Sequence, residues 1–352
     1  MTDLKPPTGG GHQGGAGHRS GHAPAADHRT SGASSVQPAT PDLDAAGRLA
    51  GSIFEAVATA VRGKDEVVRL AVVTLLSGGH LLLEDLPGTG KTLLAKSLAA
   101  AVGGDFGRVQ CTPDLLPSDI TGTSVYSPSD GSWEFRPGPL FANVVLIDEV
   151  NRASPRTQAA LLEPMEEHQV SVDSITHDLP RPFFCIATQN PFGQAGTFPL
   201  PESQLDRFAM VLSMGLPGRA AEREILTGHG GTDAFEAISA VTTPAEVVRA
   251  VEAARHVHAA PPAVEYVLDL AEATRNHPDL VVGVSPRATV GLMAAARSHA
   301  LVGGRTHITP DDIQAVAVAA LAHRVSVGGS VDVGTARQVV ADVLAGVPVP
   351  RP

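Results

Sequence analysis

An apolar triplet, Leu81-Leu82-Leu83, runs into Glu84-Asp85-Leu86-Pro87-Gly88-Thr89-Gly90-Lys91-Thr92, and Leu93 to Val102 then reads as a helix. Phosphate chemistry needs that order. Glycines let backbone N–H groups close around phosphate oxygens at a helix N-terminus. A lysine at the first helical position reaches the β- and γ-phosphates, and the hydroxyl after it can ligand Mg2+. The residues so placed are Pro87, Gly88, Thr89, Gly90, Lys91 and Thr92. The general pattern G-x-x-x-x-G-K-[ST] would put glycine at position 85, where this chain has Asp85.

A second run, Val144-Val145-Leu146-Ile147-Asp148-Glu149, places Asp148 57 residues beyond Lys91. A continuous apolar run ending in two acids predicts a buried parallel strand with its carboxylates at the C-terminal edge. Open α/β sheets bind their ligands at that edge. Asp148 is then placed to hold Mg2+ through water, and Glu149 to take a proton from an attacking water.

The elements that must position these groups follow from periodicity. Residues 44–62 and 64–77 have helical period, 80–84 form a first strand, 92–102 a helix and Phe106–Gln110 a short strand. Val125-Tyr126 and Trp133-Glu134-Phe135 flank Ser127-Pro128-Ser129-Asp130-Gly131, which predicts a hairpin, and Gln169–Leu179 predicts a second. After the acidic strand, Ser154 caps a helix with Pro155 at its first position. Pro164 falls inside that helix, where it should kink it or cost about 3 kcal/mol. Phe183–Thr188 is another buried strand. Strands alternating with helices predict a parallel α/β sheet. From about residue 217 no strand is expected, and helices are predicted near 218–229, 244–257, 262–276, 286–302, 310–324 and 334–345. Ser285-Pro286 and Thr309-Pro310-Asp311-Asp312 mark two of their N-termini. The expected organisation is a tail over 1–42, an α/β core over 43–216 and a helical lid domain over 217–352.

Composition narrows the function classes. The chain has 352 residues, 43% of them hydrophobic, with 26 basic and 37 acidic side chains. That acidic balance argues against general affinity for nucleic acid. Two cysteines, Cys111 and Cys185, do not suggest a disulfide scaffold. No apolar h-region opens the chain, and the apolar stretch from Val67 to Leu83 is broken by Arg69, Gly78-Gly79 and His80. Neither a signal peptide nor a membrane span is expected, and a cytoplasmic location is the default. The tail holds Gly, Pro, Ser, Ala and His12, His18, His22 and His28 with few large apolar side chains, so it is expected to be disordered. It reads as a solvated linker or as a metal-binding tract.

Four segments in order carry a family resemblance: Leu86 to Thr92, Asp148-Glu149-Val150-Asn151-Arg152, Ala187-Thr188-Gln189-Asn190-Pro191 and Leu205-Asp206-Arg207-Phe208. Together they resemble the MoxR family of AAA+ ATPases, in the clade with an insert in the second helix, over roughly residues 45–345. The resemblance implies a P-loop α/β nucleotide domain followed by an all-helical lid, with ATP and Mg2+ as ligands. Asn190 resembles sensor 1, which orients the attacking water. Arg207 resembles the arginine finger, which reaches the γ-phosphate bound by a neighbouring subunit, and Arg287 resembles sensor 2. Gln110 is implied to hydrogen-bond Glu149 and hold it inactive. Lys64 lies where relatives, usually with Gln there, contact adenine. Relatives commonly carry Asp at the position of Asp85. The implied partners are further copies of the chain in a ring, a hexamer, and a protein client such as a von Willebrand factor A domain protein. A nucleic-acid motor or a metal-chelatase motor subunit of the same clade are the alternatives. DNA stimulation of ATPase activity would favour the first, and stimulation by a tetrapyrrole-binding partner the second.

Overall fold

The computed structural model describes residues 41–190, 196–227, 235–328 and 333–350. The tail to residue 40 and Pro191 lie outside the described residues. Helix α1 (Leu43–Ala60) begins at Asp42, whose carboxylate accepts from the Ala45 N–H at 2.9 Å, and α2 (Asp65–Leu76) follows. Strand β1 (Leu81–Glu84), helix α3 (Lys91–Ala101) and strand β2 (Phe106–Gln110) come next. A short helix α4 (Pro117–Thr121) leads into a hairpin of β3 (Gly122–Ser127) and β4 (Ser132–Pro137). Strand β5 (Val144–Asp148) is followed by α5 (Pro155–Ala159), α6 (Leu162–Glu167) and a second hairpin of β6 (Gln169–Val172) and β7 (Ile175–Asp178). The core closes with β8 (Phe184–Gln189), α7 (Glu202–Leu205) and β9 (Met210–Leu212).

Strands β2-β5-β8-β1-β9 form one parallel sheet in that order. Its strands alternate between two apolar clusters with period two. Leu81 and Leu83, Val144 and Leu146, and Phe184 and Ile186 face the cluster that contains α1, α2 and α3. Leu82, Val145, Ile147, Cys185 and Ala187 face the other, with Leu161, Met165 and Phe208. Burial on both faces is why these runs are apolar throughout. The continuous hydrophobicity that predicted them thus reflects a sheet covered on both sides.

Beyond the sheet lie α8 (Arg219–Leu226), α9 (Pro244–Ala254), α10 (Pro261–Arg275), α11 (Pro286–Val302), α12 (Pro310–Leu321) and α13 (Val333–Gly346). Thr243, Ser285 and Thr309 stand before Pro at the starts of α9, α11 and α12, where a missing N–H is harmless. Helix α1 packs on α3 and also on α9 and α11, so core and lid helices share one apolar cluster.

Two expectations change. The helix expected to carry Pro164 in its interior divides instead into α5 and α6, and Pro164 sits in the first turn of α6, where its absent N–H costs nothing. A two-stranded antiparallel ribbon, β10 (Leu280–Val282) with β11 (Ser326–Val327), lies where no strand was expected. Strands of two and three residues are too short for period two to register, and these partners are far apart in sequence. No described helix is long and apolar enough to cross a membrane.

Candidate functional site

The turn between β1 and α3 lines a cavity of about 410 Å³ together with the C-terminal ends of β5 and β8. Pro87, Gly88, Gly90, Lys91 and Thr92 line it from one side, and Asp148, Glu149 and Asn190 from the other. Gly88 and Gly90 have φ of 82° and 96°, left-handed angles that side chains resist, so glycine is required for this turn. The N–H groups of Gly88, Thr89, Gly90, Lys91, Thr92 and Leu93 donate to no other group among the described residues. Such a row of free donors at a helix N-terminus is a binding site for an anion. Thr89 faces away: its hydroxyl donates to the Leu86 carbonyl at 3.3 Å. The Lys91 ammonium donates to the Leu86 carbonyl at 2.7 Å and the Asp85 carbonyl at 3.3 Å. Burial lowers its pKa, while Asp85, Asp148 and Glu149 pull it back up. The Thr92 hydroxyl has no hydrogen-bond partner among the described residues.

Across the cavity, Thr188 holds both acids. Its hydroxyl donates to Asp148 Oδ1 at 2.7 Å and accepts from the Glu149 N–H at 2.9 Å. Glu149 has φ of 56°, a conformation that costs a non-glycine residue about 1–2 kcal/mol. The Thr188 hydroxyl helps offset that cost. Arg152 pairs with Glu149 Oε2 at 2.8 Å, and Oε1 accepts from no other described residue. Arg108 of β2 pairs with Asp148 Oδ2 at 2.9 Å and donates to Gln110 Oε1 at 3.0 Å. Gln110 is therefore held by Arg108, its neighbour on the same side of β2, and not by Glu149 as the resemblance implied. Thr188 and Arg108 have no role assignable from sequence, because each works through a partner on another strand, while Arg152 reaches Glu149 within the same turn.

Asp85, the departure from the general loop pattern, has a tertiary reason. Its carboxylate accepts from the Ser213 hydroxyl at 3.2 Å, from the Met214 N–H and from the Gly215 N–H at 3.1 Å. From the other side, the Lys64 ammonium donates to the carbonyls of Met214, Gly215 at 3.0 Å and Leu216 at 2.6 Å. The segment that leaves β9 for the helical region is thus clasped between the phosphate loop and the start of α2, and the Lys64 ammonium is occupied by these carbonyls. Beside it, buried Glu84 accepts from Gln189 at 2.6 Å and from Arg337 of α13 at 3.2 Å, and burial raises its pKa. Removing a buried acceptor leaves its donors unsatisfied at about 1–3 kcal/mol each. Asp85→Ala is therefore expected to destabilise the protein by about 3 kcal/mol in urea unfolding. A loss below about 1 kcal/mol would show that the clasp does not hold the segment.

Neither Arg207 nor Arg287 lines the cavity. The two meet elsewhere, on one carboxylate: Arg207 Nη1 pairs with Glu166 Oε2, and Arg287 Nη2 with Glu166 Oε1 at 2.7 Å. Arg287 Nε also lies 3.6 Å from Asp206 Oδ2. Behind them Arg324, only 6% exposed, pairs with Asp206 Oδ1 at 3.0 Å and donates to the carbonyls of Asp206 and Phe208, the residues flanking Arg207. Desolvation lowers the pKa of Arg207, and the neighbouring Arg287 lowers it further. Glu166 and Arg324 were not singled out by sequence, since nothing local marks which residues they meet.

The sequence matches the family model of ATPases associated with various cellular activities (AAA) over residues 80–210 and the AAA lid domain over residues 272–343. It is 44% identical to the uncharacterized protein YeaC of Bacillus subtilis over 78% of this chain and 86% of that one. It is 41% identical to chaperone MoxR1 of Mycobacterium tuberculosis over 78% of this chain and 74% of that one. With protein MoxR of Paracoccus denitrificans the identity is 32%, over 75% and 85%. A crystal structure of a provisionally assigned ATPase from Cytophaga hutchinsonii superposes with a TM-score of 0.79 at 32% identity, covering 88% of this chain and 97% of that one.

Proposed function

Because this chain belongs to the MoxR family of AAA+ ATPases and is an ATP hydrolase, we propose that it works as a ring, a hexamer, that couples Mg2+-dependent hydrolysis to the remodelling of a protein client. The loop N–H groups and Lys91 hold the ATP phosphates. Thr92 and Asp148 are oxygen donors lining the same cavity, a donor set that suits Mg2+ shared with substrate phosphates. Bound there, the ion would neutralise charge building on the β- and γ-phosphate oxygens. Glu149 takes a proton from the attacking water through Oε1, the oxygen that Arg152 leaves open. Asn190 orients that water, and Thr188 keeps both acids in register.

One observation carries the ring: Arg207 and Arg287 converge on Glu166 and neither lines its own cavity. Guanidinium groups turned from their own nucleotide are placed to complete another, and an arginine finger supplied in trans contributes about 10³–10⁵ in rate. Arg207→Ala subunits are expected to bind ATP yet hydrolyse it at least about 10³-fold more slowly. Adding Lys91→Ala subunits, which keep Arg207, should restore activity in mixed rings. Mixed rings that form but stay inactive would refute action in trans.

The client reading rests on the hairpins. Trp133 is 71% exposed and pairs with Tyr126, ring centroids 5.4 Å apart, on β3–β4. Phe135 stacks on His177 of β6–β7 at 3.9 Å, so the two hairpins are linked. Exposed aromatic surface carried on a paired lever suits gripping a polypeptide such as a von Willebrand factor A domain protein. We place this activity in the cytoplasm, consistent with two buried, unpaired cysteines. Stimulation of the ATPase by single-stranded DNA would replace this reading with that of a nucleic-acid motor.

A further inference from the structure

We propose that Glu166 is a positioning residue for hydrolysis in the adjoining subunit: one carboxylate spans Arg207 and Arg287 and presents the two guanidinium groups as a single unit across the subunit interface. The proposal rests on the reading of both arginines as trans-acting.

The two arginines come from separate parts of the chain. Arg207 follows α7 at the edge of the core, and Arg287 lies in the first turn of α11, in the helical region. Glu166, near the end of α6, bonds to both, using a different oxygen for each. Asp206 and Arg324 back the cluster from below. In these ion pairs among the described residues, three arginines stand against two carboxylates, a formal excess of one positive charge. Arg207 is 18% exposed while Arg287 is 56% exposed. An excess cation half open to solvent suits an anionic partner arriving from outside the protomer, and a bound γ-phosphate has that charge.

Without the carboxylate between them, two like charges repel and each long side chain regains its rotamer freedom. Gln at this position keeps the shape but is uncharged, so it cannot neutralise either arginine. Catalysis by positioning is sensitive to such loosening, a misplacement of about 1 Å costing on the order of 10² in rate. The pinning of the Asp206 and Phe208 carbonyls by Arg324 fixes the backbone on both sides of Arg207. Glu166 adds a contact that sets the two guanidinium heads relative to each other.

The test separates the subunit that donates the arginines from the one that hydrolyses. Full-length Lys91→Ala subunits donate an intact cluster, and Arg207→Ala subunits supply an intact site. Glu166→Gln is then added to one or the other, and steady-state ATPase is measured in assemblies whose mixing is verified by native mass spectrometry. Glu166→Gln in the donating subunit should cut the restored rate by about 10- to 100-fold. Glu166→Gln in the hydrolysing subunit should leave it unchanged, which also shows that a chain with this substitution folds. An equal restored rate with Glu166→Gln in the donor overturns the proposal and leaves trans action standing. A fall when Glu166→Gln is in the hydrolysing subunit overturns it too, because the residue would then act within its own chain. If the parental mixture itself recovers nothing, the trans reading fails and the proposal with it.

Discussion

Lys91→Ala is expected to lower ATP affinity by at least about 100-fold in calorimetry, without unfolding the protein. On the proposed reading the side chain contributes a charge-assisted contact to the phosphates, and each such bond is worth about 1.5–3 kcal/mol. In the structure its ammonium reaches only the carbonyls of Leu86 and Asp85, at the mouth of the turn. Those carbonyls stay solvated when the side chain is shortened, so the fold should tolerate the change. The remaining N–H donors of the loop would still attract an anion, which is why affinity falls instead of specificity changing. Unchanged affinity would remove the phosphate-loop assignment of residues 87–92, and with it the reading of the 410 Å³ cavity as the ATP site.

Glu149→Gln should do the reverse: bind ATP as well as the natural chain and turn it over about 10²–10⁴-fold more slowly. The amide keeps the volume and one oxygen, so the pairing with Arg152 survives in part. The backbone N–H still donates to Thr188, so the left-handed turn at position 149 is retained. Only the ability to accept a proton is removed. Single-turnover kinetics with calorimetry on the same sample separates binding from chemistry. Near-normal turnover would refute the role of Glu149 as base and move the search to another group lining the cavity.

Much of the candidate phosphate site was legible because it is local. Gly88, Gly90, Lys91 and Thr92 act through their own backbone angles and their position at the start of α3, and these are properties of neighbouring residues. The acidic strand was legible for a related reason: a run buried on both faces must be apolar throughout, so Asp148 and Glu149 stand out at its end. The same local reasoning failed at Pro164, read as the interior of one helix, because the chain turns at residues 160–161 and starts a new helix. The bond from Gln110 to Glu149 that the resemblance implied is not made, because Gln110 Oε1 accepts from Arg108 on the same strand.

The sequence by itself determined a glycine-rich turn into a helix, a pair of acids at a strand end, the parallel sheet between them and the helices beyond. Tertiary structure alone decided which charged side chains distant in sequence are paired. Asp85 clasps Ser213, Met214 and Gly215, and Glu84 takes Gln189 and Arg337. Arg207 and Arg287, 80 positions apart in the chain, share Glu166. The reason lies in the range of the forces involved. Backbone conformation and burial are written in the spacing of neighbouring residues. An ion pair instead depends on which segments packing brings within about 4 Å, and the spacing of residues along the chain does not encode that.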